Sequence, residues 1–323
     1  MQIIGNLFYV VLFISIVGSL FVLAHLFMQK VLRLPGSLWA HFSSSLFFLI
    51  PLVMPQAHLF SPEGQSWIAE YRIASIVWLL GTIVFLLFYV LRQFMAYRTV
   101  RRCTPCDDAK VTQILSECAE KLGLKHLPRL LFGDFDEIAC VITLLRPTVL
   151  LNKTSIEKLS EKELRKVILH ELLHVKRRHH LLQRVFDIAS IMHWFNPLVW
   201  IARHDFSIIC ETDCDSQIIS TSSLEISPME YTNTMIRLLE MITQQKRVLS
   251  SQMGAQDFLV VKHRFLRILH KPSKLLLMVS SVFVAACVAG VILFSLSASQ
   301  SYFYPHSSSG TMPEYSYIHL DEQ

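Results

Sequence analysis

Charge is scarce in this 323-residue chain: Asp, Glu, Lys and Arg make up 17% of it, against 52% hydrophobic residues. That balance excludes an ordinary soluble enzyme. The shortage is concentrated in blocks. Residues 3–28 and 36–54 contain no charged side chain, residues 73–91 none between Arg72 and Arg92, and residues 275–297 none after Lys274. No basic stretch precedes the first block and no small-residue cleavage site of the A-x-A form follows it, which excludes a cleaved signal peptide and makes the block a retained anchor. Cysteine occurs seven times, but Cys103-Thr104-Pro105-Cys106 has no second C-x-x-C to complete a zinc ribbon and no thioredoxin-like surroundings. Six of the seven fall in the segment assigned below to the cytoplasm, so disulfides are not expected.

Each apolar block approaches or exceeds the roughly 20 residues that a helix needs to cross a bilayer. The second, with His41, Pro51 and several serines, also suits a buried or re-entrant helix. Basic residues then set the orientation. Lys30 and Arg33 follow the first block; Arg92, Arg98, Arg101 and Arg102 follow the third; Lys262, Arg264, Arg267, Lys271 and Lys274 precede the fourth. By the positive-inside rule the N-terminus lies outside, residues 103–273 in the cytoplasm and the tail 298–323 outside. The net charge of +5 is accordingly a topology signal and calls for no direct nucleic-acid partner. A further apolar stretch, 181–201, contains Arg184, Asp187, His193 and Asn196 and is expected to be buried in the domain or to lie in the interface.

Within the cytoplasmic segment His170-Glu171-Leu172-Leu173-His174 spells H-E-x-x-H. Histidines four apart on a helix share one face and can grip a zinc ion, with the intervening glutamate beside the metal-bound water. The motif carries weight only on a helix. Ser160-Glu161-Lys162-Glu163 has the S-x-x-E form of a capping box, and Leu164, Val167, Ile168 and Val175 follow at helical spacing. A zinc peptidase needs a third protein ligand, and Glu211 is the best candidate downstream. Asp215, four residues on, shares its helical face and could accept the outward ring N–H of a ligating histidine. Alone, such an acidic run reads as a solvated helix face; beside H-E-x-x-H the ligand reading is preferred. The chemistry is then metal-assisted peptide hydrolysis with Glu171 as general base. For the oxyanion, His193 and His180 are candidates, with a core or interfacial histidine the plainer reading of both.

Ahead of the motif, Arg146-Pro147-Thr148-Val149-Leu150-Leu151 and Ile138-Ala139-Cys140-Val141-Ile142 read as short strands. They serve either as a sheet edge that pairs with extended substrate or as core strands.

Four of these segments carry a family likeness. The Arg146–Leu151 run, His170–His174 with Val175-Lys176-Arg177-Arg178 behind it, His193-Trp194-Phe195-Asn196-Pro197-Leu198-Val199-Trp200, and Glu211 with Cys214-Asp215 stand in the order found in membrane metallopeptidases of the BlaR/MecR type. The chain resembles that family over about residues 1–300. The resemblance implies a mainly α membrane protein: four transmembrane helices and a cytoplasmic α+β zinc protease domain of the gluzincin kind, spanning 103–273. It implies zinc held by His170, His174 and Glu211, Glu171 as general base, and Asp215 behind the ligands. In that family, β-lactam binding to an outer sensor activates the protease, which cleaves itself and brings about loss of a DNA-bound repressor. The implied partners are therefore a transcriptional repressor, the chain itself as substrate, membrane lipid and, as a candidate dimer partner, a second copy. The implied setting is the plasma membrane of a Gram-positive bacterium.

Two departures stand out. Where relatives often have an acidic residue after the basic run, this chain has His179 and His180. The sensor's S-x-x-K is matched only by Ser155-Ile156-Glu157-Lys158 on the cytoplasmic side, so this sequence is not expected to bind a β-lactam covalently. Residues 244–262 read as an exposed polar loop suited to self-cleavage. The alternatives are a membrane zinc protease without a sensor and a non-catalytic scaffold stabilised by zinc.

Overall fold

The computed structural model describes residues 2–30, 72–135, 137–143, 146–221 and 224–249, with Phe48, Met278, Val282 and Ala289 as isolated positions. Most described residues are helical. Helix α1 spans Gln2–Lys30 and α2 spans Arg72–Arg102. At 1.5 Å per residue either outreaches a hydrocarbon core about 30 Å thick. Both are long and apolar enough to cross a membrane by length and composition. Leu80, Leu87, Phe88 and Leu91 of α2 are exposed, which costs nothing against lipid and much against water. Arg101 and Arg102 close α2 where cations suit the negative end of the helix dipole. These helices coincide with the expected spans 3–28 and 73–91. The expected spans 36–54 and 275–297, apart from isolated positions, and the tail 298–323 lie outside the described residues.

After α2 the chain builds a small sheet from β1 (Thr104–Pro105), β2 (Arg129–Gly133), β3 (Ala139–Thr143) and β4 (Pro147–Asn152), with α3 (Ala109–Lys121) between the first two. Asp108 caps α3 by accepting from the backbone of Lys110 at 2.8 Å. The order is β1-β2-β4-β3, with β2 and β4 parallel and the outer pairs antiparallel. Pro147 opens β4, and Thr148 to Asn152 behind it are all buried. Sequence left open whether the two predicted strands were core or edge. The structure divides them: β4 is a core strand and β3 an edge strand.

A short α4 (Lys153–Ile156) leads to α5 (Glu161–Arg177), whose capping box is complete. Ser160 N donates to Glu163 Oε2 at 2.8 Å, and Glu163 N donates back to Ser160 Oγ at 3.4 Å. Leu164, Val167, Ile168 and Leu172 then recur at helical spacing and bury against the sheet and α3. Helix α5 stops at Arg178, whose backbone is left-handed at φ 56, and α6 (His179–Met192) starts at the next residue. A non-glycine residue there costs about 1–2 kcal/mol, and it lets one helix end and the next begin within one residue.

The expected interfacial stretch 181–201 is a helical hairpin: α6, a turn at His193 to Asn196, and α7 (Pro197–Ser220). Its tip is wedged against α1 and α2. Trp78 Nε1 donates to the carbonyl of Met192 at 2.9 Å, Trp194 Nε1 to that of Trp78 at 3.2 Å, and Asn196 Nδ2 to Ser15 Oγ at 2.7 Å. Asp187 joins α6 to Arg203 of α7 at 2.7 Å and to Arg92 of α2 at 3.4 Å. Last comes α8 (Pro228–Leu249), fastened across α5 by Lys166 to Glu230 at 2.8 Å and by Arg237 to Glu163 at 2.7 Å. The expected polar loop at 244–262 is corrected in its first part, because α8 runs on through Leu249. Gln, Lys and Arg are good helix formers, so polarity alone is a poor guide to a loop. From residue 250 onward that loop lies outside the described residues.

Candidate metal centre

Helix α5 presents His170 and His174 on one face, and α7, packed against it, presents Glu211 to the same point. Two ring nitrogens and a carboxylate converge there. His170 Nε2 and His174 Nε2 are 3.2 Å apart, and Glu211 reaches them at 3.3 Å through Oε2 and 3.4 Å through Oε1. Ligands held about 2.0–2.1 Å from a tetrahedral ion stand about 3.3–3.4 Å from one another. Two imidazole nitrogens and a carboxylate that turns one oxygen toward each ring at these separations therefore suit a small divalent cation. The Glu211 side chain is 27% exposed, so the point is reachable from solvent.

Cys214, one turn along α7, also comes near. Its Sγ lies within 4.8 Å of a nitrogen on each of His170 and His174. The two candidate third donors are not equivalent. Cys214 is fully buried, and burial pushes its thiol well above the ordinary range, with the nearby carboxylates adding to the shift. A thiol ligates only once deprotonated, whereas a carboxylate is ready at neutral pH. Glu211 is also the tighter fit.

Behind the donor atoms the two rings are held differently. His170 Nδ1 lies 3.2 Å from the Tyr231 hydroxyl, which donates to Asp215 Oδ1 at 2.7 Å. Asp215 itself is 3.4 Å from His170 Nδ1. Tyr231 comes from α8 and is buried at 1% exposure. A hydroxyl so placed both accepts the ring N–H and passes its own hydrogen to the carboxylate. Asp215 thus stands where its spacing from Glu211 suggested, with a tyrosine interposed that pattern reading missed. A lone aromatic near a helix start reads as core, and nothing local marks it otherwise.

On the other ring, His174 Nδ1 faces His179 Nδ1 at 3.1 Å, the two rings near perpendicular at 76°. His179 Nε2 in turn lies 3.4 Å from Asp213 Oδ2, and Arg177 grips Asp213 with two hydrogen bonds of 2.8 Å. Burial works to raise the Asp213 carboxyl, but the contacts with His179 and Arg177 outweigh it and hold the group below its usual value. So His179, at the position where the resembling sequences often carry an acid, is the histidine beside the site.

The two oxyanion candidates go elsewhere. His193 is fully buried in the hairpin turn; its ring stacks edge-on to Phe48 and hydrogen-bonds that residue's carbonyl at 2.9 Å. Burial lowers it to about 4, with the carbonyl bond opposing, so it is neutral. His180 is also lowered to about 4, first by burial and then by Arg184 and its neighbours. Neither is among the groups that meet at His170 and His174. Glu171 is buried on α5, and its charge is felt at the Cys140 thiol of β3, which burial, Glu137 and Glu171 raise in that order. The edge strand and the glutamate are therefore within electrostatic reach of each other.

The sequence is similar to that of several known proteins. The chain is 23% identical over 218 residues to the regulatory protein BlaR1 of Bacillus licheniformis, covering 67% of this chain and 36% of that protein. It is 24% identical over 146 residues to the methicillin resistance mecR1 protein of Staphylococcus aureus strain Mu50, covering 45% and 24% respectively. A stretch of 67 residues is 33% identical to an uncharacterized Aquifex aeolicus protein, covering 21% of this chain and 61% of that one. The matched stretch thus spans well under half of the first two relatives. A family description, the BlaR1 peptidase M56, matches residues 53–268. That match takes in H-E-x-x-H, the hairpin and Glu211 and covers well over half the chain, which belongs to the BlaR1 peptidase M56 family of metallopeptidases.

Proposed function

We propose that the chain is a membrane-embedded zinc endopeptidase whose ion is held by His170, His174 and Glu211. The observation that carries this reading is the convergence of two ring nitrogens 3.2 Å apart with the Glu211 carboxylate, which sets Oε2 at 3.3 Å from His170 and Oε1 at 3.4 Å from His174. Nitrogen and carboxylate donors in tetrahedral array suit zinc. Bound there, zinc supplies Lewis acidity, acidifying a water and polarising the scissile carbonyl. The chain's own residues do the rest. Glu171 takes the proton of the attacking water and delivers it to the leaving amine. Tyr231 and Asp215 hold the His170 ring with its Nδ1 protonated, so that Nε2 keeps its lone pair for the metal. The edge strand β3 offers unpaired main-chain groups to an extended peptide, a mode that accepts many side chains.

The wider reading follows the family. We place four transmembrane helices at 3–28, 36–54, 73–91 and 275–297, both termini outside and the gluzincin-like protease of 103–273 in the cytoplasm, on the strength of the flanking basic residues. The signal is a β-lactam antibiotic sensed by the full system, and the outputs are self-cleavage within 244–262 and inactivation of a transcriptional repressor. Support comes from likeness to relatives named as a regulatory protein and a methicillin resistance protein.

The test uses the full chain purified from membranes. The Glu171→Ala variant should retain zinc and produce neither self-cleavage fragments nor cleavage of repressor, while a chelator abolishes both in the unaltered chain. Fragments from Glu171→Ala equal to those of the unaltered chain would sink the protease reading.

A further inference from the structure

The helix break at Arg178 has a use that neither the motif nor the proposed ligands explain. A continuous helix would carry residue 179 onward along the axis, five positions from His174 and facing another way. The left-handed Arg178 instead breaks the helix, and α6 begins with the ring of His179 standing edge-on to that of His174, centroids 5.1 Å apart. His179 is 1% exposed there. Burying an imidazole against another imidazole is a poor packing choice, since each carries polar nitrogens that need partners. The arrangement becomes sensible once protons are assigned.

A histidine that binds metal through Nε2 as neutral imidazole carries its hydrogen on Nδ1. For His174 that N–H points at His179 Nδ1, 3.1 Å away. Only one of two facing nitrogens can hold a hydrogen, so His179 Nδ1 accepts and the hydrogen of His179 sits on Nε2. Nε2 lies 3.4 Å from Asp213 Oδ2, without a formed hydrogen bond but close enough for the carboxylate charge to favour a hydrogen there, and Asp213 is locked in place by the two-pronged Arg177 contact at 2.8 Å on each arm. Arg177 thus sets Asp213, the Asp213 charge favours a hydrogen on His179 Nε2, and His179 Nδ1 is left to accept from His174.

We propose that His179 is a positioning residue for the metal site: it selects the metal-binding tautomer of His174 and is itself oriented by the Asp213–Arg177 pair. This rests on the reading that His174 is a zinc ligand. It adds that the chain supports its two histidines by unlike means, a tyrosine-bridged aspartate behind His170 and a second histidine backed by an ion pair behind His174. Asn at 179 can present an oxygen where Nδ1 stood, and Asp can do the same; Gln presents its polar end at the Nε2 position and leaves the Nδ1 position a carbon.

The experiment measures zinc affinity of the full chain in detergent by chelator competition, together with the visible spectrum of the cobalt-substituted protein. All variants also carry Glu171→Ala, so that self-cleavage does not erode the sample. His179→Gln should weaken zinc binding about 10- to 100-fold and shift the cobalt bands, and His179→Asn or His179→Asp should recover most of the loss. Affinity within threefold for His179→Gln, or the same loss in all three substitutions, overturns the proposal. A purely structural role would lower the melting temperature of the metal-free protein in all variants and leave the cobalt bands of the folded fraction unmoved, and that result also overturns it. Should the substitutions at 179 fail to fold, Asp213→Asn carries the same test, with weaker zinc binding expected and unchanged binding counting against. Failure of the underlying reading looks different: His174→Gln would then bind zinc as tightly as the unaltered chain.

Discussion

The hydroxyl of Tyr231 donates to Oδ1 of Asp215 at 2.7 Å, although the two residues come from different helices and both are buried. This bond makes α8 part of the candidate metal centre. Tyr231→Phe keeps the ring and removes the bridge, leaving a buried carboxylate short of one donor at a cost of about 1–3 kcal/mol. His170 then has Asp215 only at 3.4 Å. Zinc affinity is expected to fall about 10-fold or more, read by chelator competition. Asp215→Asn should have a similar effect, and the double variant should cost less than the two losses added, because both break one connected unit. Full additivity would show that tyrosine and aspartate act independently.

Glu211 and Cys214 make opposite predictions about the third donor. With the carboxylate as ligand, Glu211→Gln empties the site or leaves it weakly bound, while Cys214→Ala retains stoichiometric zinc with a modest loss of stability from the small buried void. Metal content after dialysis separates the two. Zinc lost from Cys214→Ala and kept by Glu211→Gln would make the thiolate the ligand and remove the glutamate-ligand reading.

What was readable in advance was whatever rests on contacts three or four residues apart. Ser160 and Glu163 announce a helix start, and His170 with His174 and Glu211 with Asp215 announce shared faces. The strands around Val141 and Val149 were readable from branched residues between breakers. Which strand lay at the edge was not, because pairing order depends on residues far apart in the chain. His179 and Tyr231 were hidden for the same reason. One is brought in by a single left-handed residue and the other by a helix crossing, and neither leaves a periodic trace. His193 attracted attention as a histidine in an apolar stretch and proves to belong to the hairpin turn, hydrogen-bonded to the Phe48 carbonyl.

The capping box of α5 predicts an acid-side signature. Burial works against the Glu163 carboxylate, but hydrogen bonds from Ser160 and the Arg237 charge hold it below the usual 4.5. A group with a depressed folded pKa stabilises above its unfolded pKa, and the contribution is lost as pH falls through the folded value. Glu163→Gln should therefore cost about 1 kcal/mol at pH 7, and the gap to the unaltered chain should close as pH drops below 4.5. Thermal unfolding in detergent across pH 3–7 checks it, and a pH-independent gap would assign the loss to packing.

The hairpin tip offers the last test, because it is where the catalytic helices meet the apolar ones. Asn196 caps α7 through Leu198 N at 2.9 Å while donating to Ser15 Oγ at 2.7 Å and Ser19 Oγ at 2.8 Å on α1. One side chain thus starts the helix that carries Glu211 and fastens it to a helix apolar enough to span a membrane. On the opposite flank Gly81 of α2 leaves room for Trp194: a Cβ there would clash with the indole carbons. The indole is stacked on Phe85 and has little freedom to retreat. Asn196→Ala should cost about 1 kcal/mol for the cap alone, and more because buried hydroxyls of α1 lose a partner. Gly81→Ala should also destabilise, although alanine is the better helix former by about 1 kcal/mol, and Trp194→Ala should relieve it by vacating the space. The readout is zinc-loaded protease activity alongside melting temperature. If the hairpin transmits the position of the apolar helices to Glu211, both substitutions lower activity by more than their stability loss explains, whereas activity that tracks the folded fraction alone would make the tip a plain anchor.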